Sequence, residues 1–147
     1  MIVRSLPFIL LFSGFAQGAR ANVDQVPDEL YCLALNIYFE ARGEPLEGKF
    51  AVAAVTLNRV RHPRFPSDVC SVVWQRGQFS WTHDGRPDKP YEIEAFEEAL
   101  WVATVTYEFS HPSNVGEATY YHASYTWPSW ADSLKPVARV GRHIFYR

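Results

Sequence analysis

The chain has 147 residues, with 14 Lys and Arg against 16 Asp and Glu, a formal net charge of −2 and 48% apolar residues. That balance excludes intrinsic disorder as the overall state, and without a clustered excess of cations electrostatic binding to nucleic acid is not expected. The length suits one domain with a real core, and the unusual feature is an aromatic content of 16%, including five Trp and eight Tyr.

The chain opens on MIVRSLPFILLFSGFAQGARA, which reads as an export signal. Arg4 supplies the positive end, Leu6 to Phe15 form an apolar stretch of about ten residues, and cleavage is expected at Ala19-Arg20-Ala21 or Ala16-Gln17-Gly18. That stretch is shorter than the ~20 residues needed to span a bilayer, so no stable membrane span is expected after cleavage. Residues 1–21 are therefore assigned to the signal and 22–147 to one domain, exported to the periplasm, the cell wall or the exterior. Cleavage would remove Arg4 and Arg20 and no acid, so the mature charge is 12 − 16 = −4.

Pro27-Asp28-Glu29 opens a first helix, with acids in the first turn where the macrodipole favours them. It runs to about Arg42, where Gly43 and Pro45 stop it. Leu30, Leu33, Ala34, Ile37 and Ala41 share one face, and Tyr31, Leu35 and Tyr38 widen it. This is the pattern of a buried central helix, with Glu29, Asn36 and Glu40 in a narrow polar arc. A second helix is predicted from Leu46 to Arg61, with Phe50, Ala53, Ala54, Leu57 and Val60 on its apolar face. Asn58 falls beside that face, and if buried it must be hydrogen-bonded. Pro63 and Pro66 end the helical hairpin, and Ser67-Asp68 can cap a short helix carrying Val69, Val72 and Val73.

Residues 75–90, QRGQFSWTHDGRPDKP, read as a long irregular loop, a type that is usually functional or disordered in compact domains. Phe79 and Trp81 within it argue for order. A further helix follows from Glu92 to about Phe109, with Ile93, Phe96, Leu100, Ala103 and Tyr107 at helical spacing. Gly116 to His122 and Val137 to Tyr146 are rich in β-formers and are expected to pair as two short strands. Phe79, Trp101, Tyr107 and Phe145 are expected in the core. The fold class is α+β, mainly helical. Cys32 and Cys70 allow a single intramolecular bridge, which export favours; two buried free thiols are the alternative.

Glu40 follows Tyr38 and Phe39 at the edge of the apolar face. A carboxyl in a partly dry, aromatic surrounding has its ionised form disfavoured, which makes it a proton donor at neutral pH, as glycosidic cleavage requires. On periodicity alone Glu44 and Glu47 have similar claims, although Pro45 and Gly48 place them in the turn and at the next helix start, where solvated capping is expected. His62, His83, His111, His122 and His143 lie in no tight ligand spacing, so no metal or other cofactor is expected.

CLALNIYFEARGEPLEGKFAVAAVTLNRV, from Cys32 to Val60, resembles the signature of the SleB-type cell-wall hydrolases, the group that includes spore cortex-lytic enzymes. The later pieces fit in order: Gln78-Phe79-Ser80-Trp81, Ala118 to His122, Pro128-Ser129-Trp130-Ala131 and Gly141 to Tyr146. The resemblance implies a lysozyme-like fold close to lytic transglycosylase domains. It also implies cleavage of the β-1,4 bond between N-acetylmuramic acid and N-acetylglucosamine in peptidoglycan glycan strands. The catalytic glutamate of that family is the first Glu of the E-A-R-G-E pattern, which is Glu40 here. Cys32 and Cys70 match positions that are Cys in related exported sequences, which supports pairing them. Two departures stand out: Gly77 and His83 occupy positions that are often Cys, leaving the loop without a local bridge, and Tyr120 stands where His is frequent.

No second acid is well placed by the sequence. Asp84 is the best spare, and before Gly85 it is more naturally an Asx-turn residue. A single acid fits a lytic transglycosylase; the alternatives are a hydrolytic muramidase using a second carboxylate and a non-catalytic peptidoglycan-binding module. Gln78 and Ser80 are candidates for hydrogen bonds to the glycan, and Tyr121, His122 and Trp130 are candidates to line the groove, where aromatic rings can stack on sugars. The protein is expected to act as a monomer.

Overall fold

The computed structural model describes residues 26–110 and 113–147. The assigned signal segment and His111 lie outside the described residues. Four α-helices, α1 (Asp28–Ala41), α2 (Leu46–Arg61), α3 (Val69–Val73) and α4 (Ile93–Phe109), precede three strands, β1 (Tyr120–Ala123), β2 (Pro136–Val140) and β3 (His143–Tyr146). This is the mainly helical α+β class expected from the sequence. Among the described residues no helix is long and apolar enough to cross a membrane.

The apolar pattern of α1 is realised as burial around nearly its whole circumference, with Leu33, Ala34, Ile37 and Tyr38 fully enclosed. Its polar arc is also put to use. Glu29 Oε2 accepts the backbone N–H of Val69 at 2.7 Å and Asp68 Oδ1 accepts that of Ser71 at 2.7 Å, so two carboxylates cap the start of α3. Cys32 and Cys70 form a disulfide that ties α1 to α3, with Cα atoms 5.3 Å apart. The Tyr38 hydroxyl accepts the backbone N–H groups of Tyr91 and Glu92 at 3.3 and 3.2 Å, occupying donors at the entry to α4.

Helix α2 is buried on more than the single face read from its spacing. Phe50, Ala53 and Leu57 join the core formed with α1 and α4, while Ala51, Ala54 and Val55 pack with Val115, Ala118 and Phe145 beneath the sheet. Asn58 is half-buried and satisfied: its Nδ2 donates to the carbonyls of Gly116 and Ala118 at 2.7 and 2.9 Å. It thereby pins the segment leading into β1.

Two expectations are corrected. In α4 the buried face is Phe96, Ala99, Val102, Ala103 and Thr106, whereas Ile93, Trp101 and Tyr107 are 65%, 52% and 40% exposed. The small residues Ala99 and Ala103 let α4 lie close to α1, and this rotates the bulkier Trp101 and Tyr107 outward. The stretch from Val137 to Tyr146 is a hairpin rather than one strand, so the sheet has three strands in the order β1-β3-β2, both pairs antiparallel. The reversal falls at Gly141, whose φ of +55° suits glycine.

The loop at 75–90 is anchored without a local disulfide. It contains a turn of 3-10 helix at Ser80–His83. Trp81 is buried, stacks on Phe39 with centroids 4.6 Å apart, and meets Trp74 edge-on at 5.3 Å. Its indole N–H donates to Asn36 Oδ1 at 3.2 Å, and Asn36 Nδ2 donates to Thr56 Oγ1 at 3.1 Å. Asn36 is wholly buried and links α1, α2 and the loop.

Candidate active site

The polar arc of α1 ends at Glu40, which lines an open cleft of about 370 Å³ between the helices, the 75–90 loop and the sheet. Glu40 Oε2 accepts a hydrogen bond from the Tyr121 hydroxyl at 3.0 Å. Burial pushes the Glu40 carboxyl above its ordinary value; the Tyr121 hydrogen bond and the Arg59 charge pull the other way but do not cancel it. Burial and the nearby Glu40 charge together hold the Tyr121 phenol well above its ordinary value, so it remains a neutral donor.

Tyr121 is placed by strand geometry. Side chains alternate along β1, and its partner across the ladder is Phe145. Tyr121 therefore faces the helices with Phe145 and His143, at centroid distances of 5.5 and 5.2 Å. His122 also borders the cleft but turns its ring to the opposite face. There its Nδ1–H donates to the Ala123 carbonyl at 2.9 Å, and its Nε2 accepts from the Tyr146 hydroxyl at 2.9 Å, a tautomer assigned from these partners. Trp130 packs on that same outer face, edge-on to Tyr146 at 5.5 Å and near His122 at 5.6 Å, away from the cleft lining. Gln78 and Ser80 do line the cleft, from the loop, while Phe79 between them turns into the core. The structure thus brings Glu40, Gln78, Ser80, Tyr121 and His122 to one cleft and sets Trp130 behind it.

Among the further residues lining the cleft, Arg59, His143 and Tyr125 were given no role in the site by sequence reasoning. Arg59 is 4% exposed; its Nε donates to the Thr119 carbonyl at 2.7 Å. Its guanidinium lies over the rings of Phe65, Phe79 and Tyr120 at 5.3, 5.1 and 5.8 Å. A charged residue inside the run AVAAVTLNRV was the available signal. His143 is buried with its Nδ1 lacking a hydrogen-bond partner, and burial, opposed by Glu44, lowers its proton affinity, so it is neutral at pH 7. Tyr125 stands at the rim, 80% exposed.

The expectation of solvated capping holds for Glu47, which is exposed, but is corrected for Glu44. Its side chain is 3% exposed, and it accepts the Arg142 backbone N–H at 2.8 Å and Nε at 2.6 Å. Burial opposes ionisation, but the two hydrogen bonds from Arg142 and its charge, joined by His143 once it is protonated in acid, outweigh it and hold the carboxyl below its ordinary value. A Cβ at Gly141 would overlap this carboxylate, so the hairpin turn and Glu44 are fitted to one another. Asp84 Oδ1 accepts the Arg86 N–H at 2.8 Å, as an Asx turn requires, and it lines an adjoining cleft of about 600 Å³ that shares Phe39 with the first. Among the described residues lining the first cleft, Glu40 is the sole carboxylate. Another cleft of about 630 Å³, lined by Arg61, His62, Arg64 and Arg147, holds none of the residues singled out as catalytic or glycan-binding.

Residues 43–146 match the profile of the Cell Wall Hydrolase family. The chain is 36% identical over 143 residues to the spore cortex-lytic enzyme of Halalkalibacterium halodurans, covering 88% of this chain and 40% of that protein. It is 37% identical over 119 residues to the spore cortex-lytic enzyme of Bacillus subtilis, covering 80% of this chain and 37% of that protein. The chain thus spans about two fifths of the length of the curated relatives it matches. Among solved structures, the catalytic domain of the germination-specific lytic transglycosylase SleB from Bacillus anthracis superposes with a TM-score of 0.66 at 30% identity, covering 83% of this chain and 100% of that one. The catalytic domain of the Bacillus cereus SleB protein gives 0.65 at 31% identity, covering 88% and 99%.

Proposed function

The chain belongs to the Cell Wall Hydrolase family, and from that premise we propose that it cleaves peptidoglycan glycan strands as a lytic transglycosylase with Glu40 as its acid and base. One observation carries this reading: a carboxyl whose proton affinity is raised by burial is the single acid among the described residues lining the cleft. Two-carboxylate glycosidases need a second acid about 5–9.5 Å away, and substrate assistance is the recognised way to do without it.

In the proposed reaction the Glu40 carboxyl gives its proton to the oxygen leaving C1 of N-acetylmuramic acid, and the C1–O bond breaks. The carbonyl oxygen of the substrate's own N-acetyl group closes on C1. The Glu40 carboxylate then takes the proton of the muramic C6 hydroxyl, O6 bonds to C1 as the acetamido oxygen departs, and a 1,6-anhydro ring results. Glu40 ends protonated and no water is consumed. Tyr121 holds one carboxylate oxygen and so directs the other at the glycosidic bond. Gln78 and Ser80 hydrogen-bond the glycan, Tyr121 and His122 form the sheet wall of the groove, and Trp130 stiffens that wall from behind. The domain, residues 22–147, works as an exported monomer on the wall, in the periplasm or outside, with residues 1–21 as its export signal.

Digestion of purified peptidoglycan followed by mass spectrometry of the muropeptides tests the reading. Anhydro ends free of ¹⁸O are expected when the reaction is run in H₂¹⁸O. Reducing ends carrying ¹⁸O would show a hydrolytic muramidase instead. Glu40→Gln should keep its thermal transition and lose cleavage by a factor of about 10² or more, since a positioned acid supplies roughly 10²–10⁴. Binding to peptidoglycan without any cleavage by the parent protein would make it a binding module.

A further inference from the structure

We propose that Arg59 is a positioning residue for this reaction: its buried guanidinium is the fixed positive charge against which the Glu40 carboxylate forms when its proton leaves. The inference rests on the reading of Glu40 as the acid and base. Arg59 projects from the last turn of α2, is 4% exposed, and donates from Nε to the Thr119 carbonyl. Its Nη1 is buried and has no hydrogen-bond partner. The other buried or half-buried cations among the described residues are paired: Arg42 with Glu92 and Lys49 with Glu98. Among the described residues no carboxylate lies within ion-pair distance of Arg59. A charge taken out of water without a counter-ion is strongly disfavoured, and ring faces offset only part of that. If Arg59 served only to fill space between Phe65, Phe79 and Tyr120, an unbranched apolar side chain would do so without the penalty.

The cleft explains the placement. Glu40 is its one carboxylate, and Arg59 is its one permanent cation among the described lining residues. Lining the cleft with Glu40 are Arg59 from α2, Tyr121 from β1 and His143 from β3, with neutral Gln78 and Ser80 from the loop; His122 borders it with its ring turned to Tyr146 on the other face of β1. His143 is neutral and Tyr121 stays a phenol, so the ion balance of the site depends on Arg59. During the first proton transfer Glu40 passes from neutral to charged in a partly dry site. A pre-placed cation stabilises that product without reorganising, which makes the acid stronger. Burial sets the Glu40 carboxyl high, and the Tyr121 bond and the Arg59 charge keep it within reach of a working acid.

Without the Arg59 charge Glu40 holds its proton to higher pH, so the alkaline limb of the activity profile moves upward; as a weaker acid it also lowers the plateau. Arg59→Met is expected to reduce plateau kcat roughly tenfold, part of the ~10²–10⁴ of acid catalysis, and to move that limb to higher pH. Arg59→Lys, which keeps the charge, should leave the limb near its original position. Independently of turnover, the ¹³Cδ titration of Glu40, assigned by its loss in Glu40→Gln, should have a higher midpoint in Arg59→Met than in the parent. A folded Arg59→Met protein with unchanged limb and unchanged Glu40 midpoint overturns the proposal and leaves Arg59 a packing residue. If Arg59→Met does not fold, replacement of Arg59 by citrulline keeps the shape and the Nε–H, removes the charge, and is judged by the same midpoint. Cleavage that survives Glu40→Gln would instead sink the catalytic reading, while the Glu40 titration still decides whether Arg59 acts on it.

Discussion

Three glutamates lie within eight residues of the α1–α2 turn, and surroundings alone separate their roles. Glu40 is enclosed by apolar and aromatic groups and held above its ordinary value; Glu44 is enclosed by donors and held below it. Glu47 remains in solvent at the start of α2. Because the folded state lowers the Glu44 value beneath its ordinary 4.5, its contribution to stability is present above that pH and is lost as pH falls through the depressed folded value. Glu44→Gln should therefore be less stable than the parent at pH 7 by about 1–2 kcal/mol, discounted because the Arg142 side chain is largely in solvent. The gap should close on acidification below pH 4.5. Urea titrations of both proteins at several pH values measure it, and a gap constant from neutral to acid pH would show that the ionised carboxylate contributes nothing. The sequence could mark Glu44 as polar and near a proline, but its burial depends on a hairpin nearly a hundred residues away, with Arg142 at a separation of 98. Short-range pattern carries no information about such a partner.

At the scale of elements, the site is held by ties between α1 and its neighbours. The Cys32–Cys70 disulfide spans a separation of 38 residues and fixes α3 against the N-terminal half of α1. By the chain-entropy model a loop of that length stabilises by roughly 3–4 kcal/mol. Cys32→Ser/Cys70→Ser, or reduction, should lower the unfolding free energy by about that amount while leaving cleavage at low temperature largely intact, because the bridge is at the opposite end of α1 from Glu40. Chemical denaturation with and without reductant checks the first part, and a peptidoglycan turbidity assay below the transition checks the second. The helices were legible because their periodicity is local: α2 runs from Leu46 to Arg61, the bounds read from its spacing. What local pattern missed was orientation. Both faces of α4 carry apolar groups: of the stripe read from spacing, Phe96 and Ala103 are buried and Leu100 packs at the core edge, while Ile93 and Tyr107 give way to Ala99 and Val102, a rotation set by how closely α1 can approach. The β2–β3 hairpin was hidden for a related reason, since Gly141-Arg142 interrupts a run of β-formers by only two residues. Glu40 lay at the edge of a legible face, whereas Arg59 was masked by the apolar run around it.

At the scale of the whole molecule, α2 is shared by two packed regions, one with α1 and α4 and one with the sheet. The cleft lies where these regions meet, with Glu40 on the helical side and Tyr121 on the sheet side joined by a hydrogen bond. A site assembled from both halves requires that neither moves independently, and a common helix through both cores supplies that coupling. The aromatic excess divides along the same line: Trp74, Trp81 and Trp101 lie with the helical region and the loop, and Trp127 and Trp130 with the outer face of the sheet. Each region thus carries its own fluorescent reporter. Trp74→Phe/Trp81→Phe/Trp101→Phe should leave only sheet-side Trp residues, and Trp127→Phe/Trp130→Phe only helical-side ones. For a single cooperative unit the urea transitions of the two proteins, each normalised to its own far-ultraviolet curve, should coincide. A sheet-side fluorescence change that precedes loss of helix would show that the hairpin region opens alone, and the Glu40–Tyr121 contact would then be broken in part of the folded population. Phe145→Ala sharpens the test, because Phe145 is fully buried between the sheet and α2. Its removal should cost about 3–5 kcal/mol. With one cooperative unit that loss shifts both reporters equally; with two it shifts the sheet-side reporter alone and abolishes cleavage while the helices remain intact.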